Sequence, residues 1–206
     1  MEYETIKIPM VINKPYEIMN KKEVNMYFEW FMSIKDTRLK YLMKRIFDSE
    51  EIIFSEKNIQ ALHYLMAENI HERLKTEEEI KEELEMAPDE LKSTHQVHPK
   101  RLIEPTMSIS IDIGIYLGEF LLHEFDDLKW NIHKDDRLLQ YGRPKVVSKN
   151  KHFCPSWVLL IIFMVNADKP ENEDKLLQVF NNYRDKFHGR ETRAQRFMRE
   201  MKEKLK

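Results

Sequence analysis

The sequence predicts an α+β fold that is predominantly α-helical, with helices packed around a long central helix and a small antiparallel β-hairpin beside it. Three observations carry that expectation. The segment Ser108–Phe125 (SISIDIGIYLGEFLLHEF) is apolar apart from a few hydrophilic side chains gathered along one edge at 100° per residue. Apolar residues recur at helical spacing through most of the remaining chain. Four glycines in 206 residues are few for a fold built on many tight turns.

The elements follow in order. Residues 3–12 (YETIKIPMVI) begin with alternation and predict a short strand, placed at an edge by Pro9. Asn20 with Glu23 forms a capping pair that opens a helix to about Ile34, with Val24, Tyr27, Phe28 and Phe31 on its buried face. A second helix, Thr37 to Phe47, gathers Leu39, Leu42, Met43 and Ile46. Ser55 caps a third, expected to reach about Leu74, with Ile59, Leu62, Met66 and Ile70 inward and His63 packing at the boundary. Thr76 and Glu79 form a further capping box and start a short acidic helix. Eight acidic residues and one lysine lie between Glu77 and Glu90, so its outer face is negative and solvated.

Residues 86–106 contain three prolines and little periodicity, which marks a linker. In the central segment, Ile109, Ile111, Ile113 and Ile115 alternate as a strand would. The length of the run and the interruptions at Gly114 and Gly118 favour a helix. The two glycines share one side, where a neighbour can approach closely. LKWNIH and PKVVS predict an antiparallel pair bearing Trp130. Pro155 suits the first turn of a nearly all-apolar helix running to about Asn166. An amphipathic helix over 171–187 ends at Gly189, and a last helix covers about 191–205. The chain divides into an N-terminal helical region with an edge strand (1–86), a linker (87–106) and the unit of central helix, hairpin and C-terminal helices (107–206). The first and last parts are expected to form one compact body.

Composition narrows the classes. Charged residues make up 34% of the chain and cancel to −2, so no global field points to nucleic acid. The lone Cys154 excludes an internal disulfide and a cysteine-rich zinc site, and its apolar surroundings predict a buried thiol. The N-terminus MEYETIKIP lacks the basic-then-apolar order of a signal peptide. The longest apolar run, Trp157 to Val165, is about half the length needed to span a bilayer. A cytoplasmic protein without membrane contact is expected.

Three candidate sites emerge. The stripe of Asp112, Tyr116, Glu119 and His123 places two carboxylates and an imidazole on one helix face, residue types that can perform acid–base work. Asp112 and Glu119 are seven residues apart, about 10 Å along a helix. That is long for a shared ligand, and a wet edge on a buried helix explains the stripe equally well. The loop after the Trp130 strand offers Arg137, Tyr141 and Arg143 for partner contact. Finally, residues 188–206 carry seven Lys/Arg against three Glu, with Arg190, Arg193, Arg196 and Arg199 at every third position. These arginines can meet a protein partner or phosphates. The helix can equally dock its Phe197/Met198/Met201 face on the domain, or on the acidic 77–90 surface in this chain or a second copy, and structural docking is the reading the sequence favours. His95 and His98 do not suffice for a metal site. No cofactor and no metal is expected.

INKPYEIMNKKEVNMYFEWFMS, together with IDIGIYLGEFLLHEFDDLKW and YGRPKVV, resembles uncharacterised proteins of Firmicutes and their phages. The second stretch is similar to a helix-then-Trp-hairpin unit of small bacterial families, some of them suspected toxin-immunity proteins. The resemblance covers about half of the chain, rests on core aromatics, glycines and a tryptophan, and carries over no catalytic residue. It implies a small cytosolic accessory protein of bacterial or phage–host conflict. The expected function is therefore a non-enzymatic protein–protein binder, with a homodimer compatible. The alternatives are a nucleic-acid-associated protein using the C-terminal arginines and an acid–base or metal-dependent enzyme using Asp112, Glu119 and His123.

Overall fold

In a computed structural model, the residues described are 3–13, 18–86, 97, 99–132, 142–149, 151–156, 158, 175–191, 199 and 201. They form helices α1 (Lys21–Phe47), α2 (Glu56–Glu68), α3 (Glu77–Met86), α4 (Thr106–Glu124) and α5 (Lys175–His188). Strands β1 (Glu72–Leu74) and β2 (Lys100–Leu102) pair antiparallel as a two-stranded ribbon. Strands β3 (Lys129–Ile132), β4 (Pro144–Ser148) and β5 (Lys151–Phe153) make an antiparallel meander. The predominantly helical α+β class holds, and α4 is the central helix.

The local start and stop signals act as their chemistry dictates. The Asn20 side chain accepts from the backbone N–H groups of Lys22 and Glu23, and Glu23 returns a bond to the Asn20 N–H at 2.9 Å. Ser55 caps α2 through the Asn58 N–H at 3.2 Å. Thr76 and Glu79 cap α3 reciprocally, at 3.2 and 2.9 Å. Gly189 closes α5 with φ +73°, a left-handed conformation in which a side chain would be strained.

Packing is organised on α4. Ile109, Ile113, Tyr116, Leu117, Phe120 and Leu121 are all buried, with α1, α2 and β4 laid against them. The two glycines serve as the close-approach positions expected. A Cβ on Gly114 would lie 2.7 Å from Pro155 Cβ, and one on Gly118 would lie 2.5 Å from the Trp130 ring. α5 packs on α2 and β5, joining Phe180 to Phe120 at a ring separation of 4.8 Å and Tyr183 to Phe153 at 5.0 Å.

Five expectations are corrected. Residues 3–9 form no strand. Their backbone is taken up by side chains instead, the Glu4 N–H donating to Tyr41 Oη and the Ile6 N–H to Ser108 Oγ, both at 2.7 Å, and Met10–Ile12 turn as a 3₁₀ helix. The two helices expected across Asn20–Phe47 are one. Lys35, at the expected break, and Arg38, about one turn on, are fastened to carboxylates of α4, so tertiary pairing holds the middle turns helical. The third helix stops at Glu68 because residues 72–74 pair with 100–102. The same pairing turns part of the expected linker into a strand. A third strand, β5, extends the predicted hairpin. The greater part of the helix expected after Pro155, most of the last helix, and His95 and His98 lie outside the described residues.

α3 is attached by charge. Glu79 binds Arg73 at 2.5 Å and also meets Arg101, while Glu83 meets Lys75. Arg73, the Thr76 N–H and Arg101 hold the Glu79 carboxyl well below the usual carboxylate range. A depressed carboxylate stabilises above its ordinary pKa, about 4.3, and loses that contribution as pH falls toward the folded value. Amide exchange protection in 77–86 is therefore expected to drop on acidification below the ordinary glutamate range while the α4 amides stay protected. Equal loss in both would contradict electrostatic attachment.

Candidate functional site

The polar stripe of α4 is divided among separate structural tasks. Asp112 is fully buried. Its Oδ1 accepts from Arg38 Nε at 3.0 Å, and its Oδ2 accepts from Arg38 Nη2 and Tyr3 Oη, each at 2.6 Å. Burial pushes this carboxyl up, and the Arg38 and Tyr3 hydrogen bonds oppose that push. Both oxygens accept in this arrangement, which suits the ionised form, while burial leaves the carboxyl above its ordinary value overall. Burial also drives the Tyr3 phenol far up, with Asp112 adding to the effect, so Tyr3 remains a donor. The Arg38 guanidinium lies 4.6 Å over the Tyr41 ring, and its Nη2 also donates to the Glu4 carbonyl at 2.9 Å.

Two turns along, Glu119 Oε1 accepts from Trp130 Nε1 at 2.7 Å and pairs with Lys35 at 2.9 Å. Tyr116, between them, donates to the Ile53 carbonyl at 2.9 Å and accepts from the Ser55 N–H at 3.1 Å, fixing the entry to α2. His123 is exposed and rests on Phe54 at a ring separation of 5.2 Å. Thus Asp112 ties α4 to the N-terminal segment and α1, Glu119 ties it to α1 and β3, and His123 stands at the surface. The three are not brought together around one reacting point. Among the described residues, no group of three His, Cys, Asp or Glu is placed to hold a metal ion.

Of the other predicted contacts, Arg143 is half-buried at the start of β4. Arg199 is exposed and binds Glu191 through Nε and Nη2 at 3.0 and 3.2 Å. Arg137, Tyr141, Arg193 and Arg196 lie outside the described residues. Cys154 is buried, with Sγ 3.1 Å from Ser156 Oγ, and burial pushes the thiol up. Its reaction with a disulfide reagent is expected to be orders of magnitude slower in the native protein than in denaturant. Comparable rates would mean that the thiol is accessible.

A cleft of about 650 Å³ opens between α1, α2 and the start of α4. Ile46, Ala61, Leu65 and Pro105 line it half-buried, and Arg45, Tyr64, Glu68 and His71 stand exposed around them. Tyr3 completes the wall, so the cleft adjoins the buried Asp112 pair. Tyr64 is 50% exposed, a large aromatic left at the surface by a helix whose Ile59, Leu62 and Met66 are buried. Sequence reasoning missed this site because its walls come from segments far apart in the chain. The available signal was Tyr64, which sits off the α2 apolar stripe.

No helix among the described residues is long and apolar enough to cross a membrane. No protein-family model, curated protein sequence or solved structure matches the chain.

Proposed function

We propose that this chain is a non-enzymatic protein-binding protein, of the immunity or phage–host accessory kind that its sequence resembles, and that it holds its partner in the cleft between α1 and α2. The observation that carries the reading is exposed Tyr64 beside Arg45 on an open cleft lined by Ile46, Leu65 and Pro105. Tyrosine and arginine over a small apolar depression are the composition of an interface hot spot, where a desolvated aromatic anchor supplies most of the binding energy. Glu68 and His71 add polar groups at the margin, which suit orientation and selectivity. The same reading accounts for the polar residues of α4, since Asp112 and Glu119 are occupied with Arg38 and Lys35.

The test places a photo-crosslinking amino acid at position 64 in the full-length protein, expressed with the products of its flanking genes and host extract. A covalent adduct of defined mass is expected, and it should disappear when Arg45→Glu is added. With that partner in hand, Tyr64→Ala should weaken binding by about 30-fold or more, the equivalent of a 2 kcal/mol hot spot. The absence of any adduct from position 64, or unchanged binding by Tyr64→Ala and Arg45→Glu, overturns the proposal.

A further inference from the structure

The segment Tyr3–Ile12 runs along the seam between α1 and α4 as a strap, without a strand ladder. Side chains of the two helices hold it at separate points. Tyr3 Oη donates to Asp112 Oδ2 at 2.6 Å, and the Glu4 carbonyl accepts from Arg38 Nη2 at 2.9 Å. The Glu4 N–H reaches Tyr41 Oη and the Ile6 N–H reaches Ser108 Oγ, both at 2.7 Å. Between Tyr3 and Ile12 no side chain is buried, and Glu4, Thr5, Lys7 and Pro9 are exposed. A stretch with few buried contacts and no regular backbone bonding opens locally at low cost.

Tyr3 is the part of the strap that is sunk. It is 7% exposed and stands edge-on to Tyr41 at 5.2 Å and 85°, with the Arg38 guanidinium 5.9 Å from its ring centre. The same ring is a wall of the cleft. If it leaves, Arg38 and Asp112 remain paired through their own bonds of 3.0 and 2.6 Å, and the slot the ring fills becomes continuous with the cleft. That slot then presents an aromatic edge and a carboxylate oxygen that has lost a donor. A buried acceptor in that condition favours any ligand that returns an O–H.

We infer that Tyr3 is the internal occupant of a phenol-binding slot, and that a tyrosine of the cleft's partner displaces it. The ligand chemistry is read from the side chain now in place: planar, aromatic and carrying one donor for Asp112. The strap is then an autoinhibitory contact, because the partner gains the slot only in the fraction of molecules with Tyr3 released, and its apparent affinity falls by that fraction. The inference rests on the cleft being the partner's seat, and adds the partner's chemistry and the gate.

Two measurements on the full-length protein need no partner. In Tyr3→Ala, p-cresol, the tyrosine side chain alone, should bind saturably by calorimetry. It should bind about 10-fold or more tighter than toluene, the difference made by a hydrogen bond to a charged group. Equal binding of the two, or none of p-cresol, overturns the phenol slot. In wild type, the Glu4 and Ile6 amides should exchange hydrogen much faster than the α4 amides. An excess of N-acetyltyrosinamide should speed them further, and N-acetylphenylalaninamide should not. Exchange of these two amides only at the α4 rate, or indifference to N-acetyltyrosinamide, makes Tyr3 a fixed part of the core and overturns displacement. If the alanine variant does not fold, Tyr3→Phe keeps the ring and should still speed both amides by about 10-fold or more; unchanged exchange there also overturns it. A third measurement separates this inference from the cleft reading. Where position 64 gives its adduct, Tyr3→Ala should raise the yield at limiting partner. An adduct whose yield is unchanged or lower overturns displacement and leaves the cleft reading standing, whereas no adduct from any of the proteins overturns the cleft reading and the partner's tyrosine with it.

Discussion

Replacing Asp112 by alanine is expected to destabilise the protein by about 3–5 kcal/mol, the cost of breaking a buried ion pair by removing one partner. The size follows from what is left behind. Arg38 is 7% exposed, and its guanidinium would lose both bonds to Asp112, while Tyr3 would lose its acceptor. Neither donor can be fully rehydrated without moving residues 3–6, which the same cluster pins to α1 and α4. Against a total stability of about 5–15 kcal/mol the loss is severe. A melting temperature lower by roughly 6–20 °C is expected, with a matching fall in the urea midpoint. Asp112→Asn, which keeps the shape and gives up the charge, should fall between the two. A loss under about 1 kcal/mol for Asp112→Ala would mean that the pair is a solvent-exposed one in energetic terms.

The second large effect is expected at Gly118. In an ordinary helix interior, glycine to alanine gains about 1 kcal/mol. Here the added Cβ would sit 2.5 Å from Trp130 Cζ2 and Cη2 and 3.3 Å from Val146 Cγ2. Trp130 has little room to yield, because Nε1 is held by Glu119 and the ring packs edge-on to Phe31 at 5.1 Å. Overpacking costs about 1–3 kcal/mol, so Gly118→Ala should lower stability and Gly118→Val should lower it further. Trimming the obstacle with Trp130→Leu should recover part of the alanine penalty, a non-additivity that marks direct contact. A Gly118→Ala variant that melts higher than wild type would contradict the close approach.

These two sites differ in how far the sequence revealed them. Gly114 and Gly118 fall on one side of an apolar helix, so the need for close approach was legible from spacing alone. The capping pairs at Asn20, Ser55 and Thr76 were legible for the same reason: their donors and acceptors are three residues apart or fewer. The Asp112 cluster was half legible. Its place on a hydrophilic edge followed from helical phase, but its partner Arg38 is 74 residues away, and no local pattern joins the two. Strands β1 and β2 escaped notice because each has three residues and exists through the other. The expected break between Ile34 and Thr37 failed because Lys35 and the nearby Arg38 bind carboxylates of α4, contacts that no local pattern shows. The cleft around Tyr64 is the extreme case, assembled from α1, α2, the stretch after α2 and Pro105.

The hydrophilic edge of α4 serves the fold, and a double-mutant cycle on Arg38 and Asp112 measures that service. Chemical denaturation of wild type, Arg38→Met, Asp112→Leu and the double variant yields the coupling energy. The prediction is that each single change is strongly destabilising, that the double variant is more stable than either, and that the coupling exceeds about 2 kcal/mol. Two changes that add within about 0.5 kcal/mol would show that the groups are energetically independent, and the structural role assigned to Asp112 would be wrong.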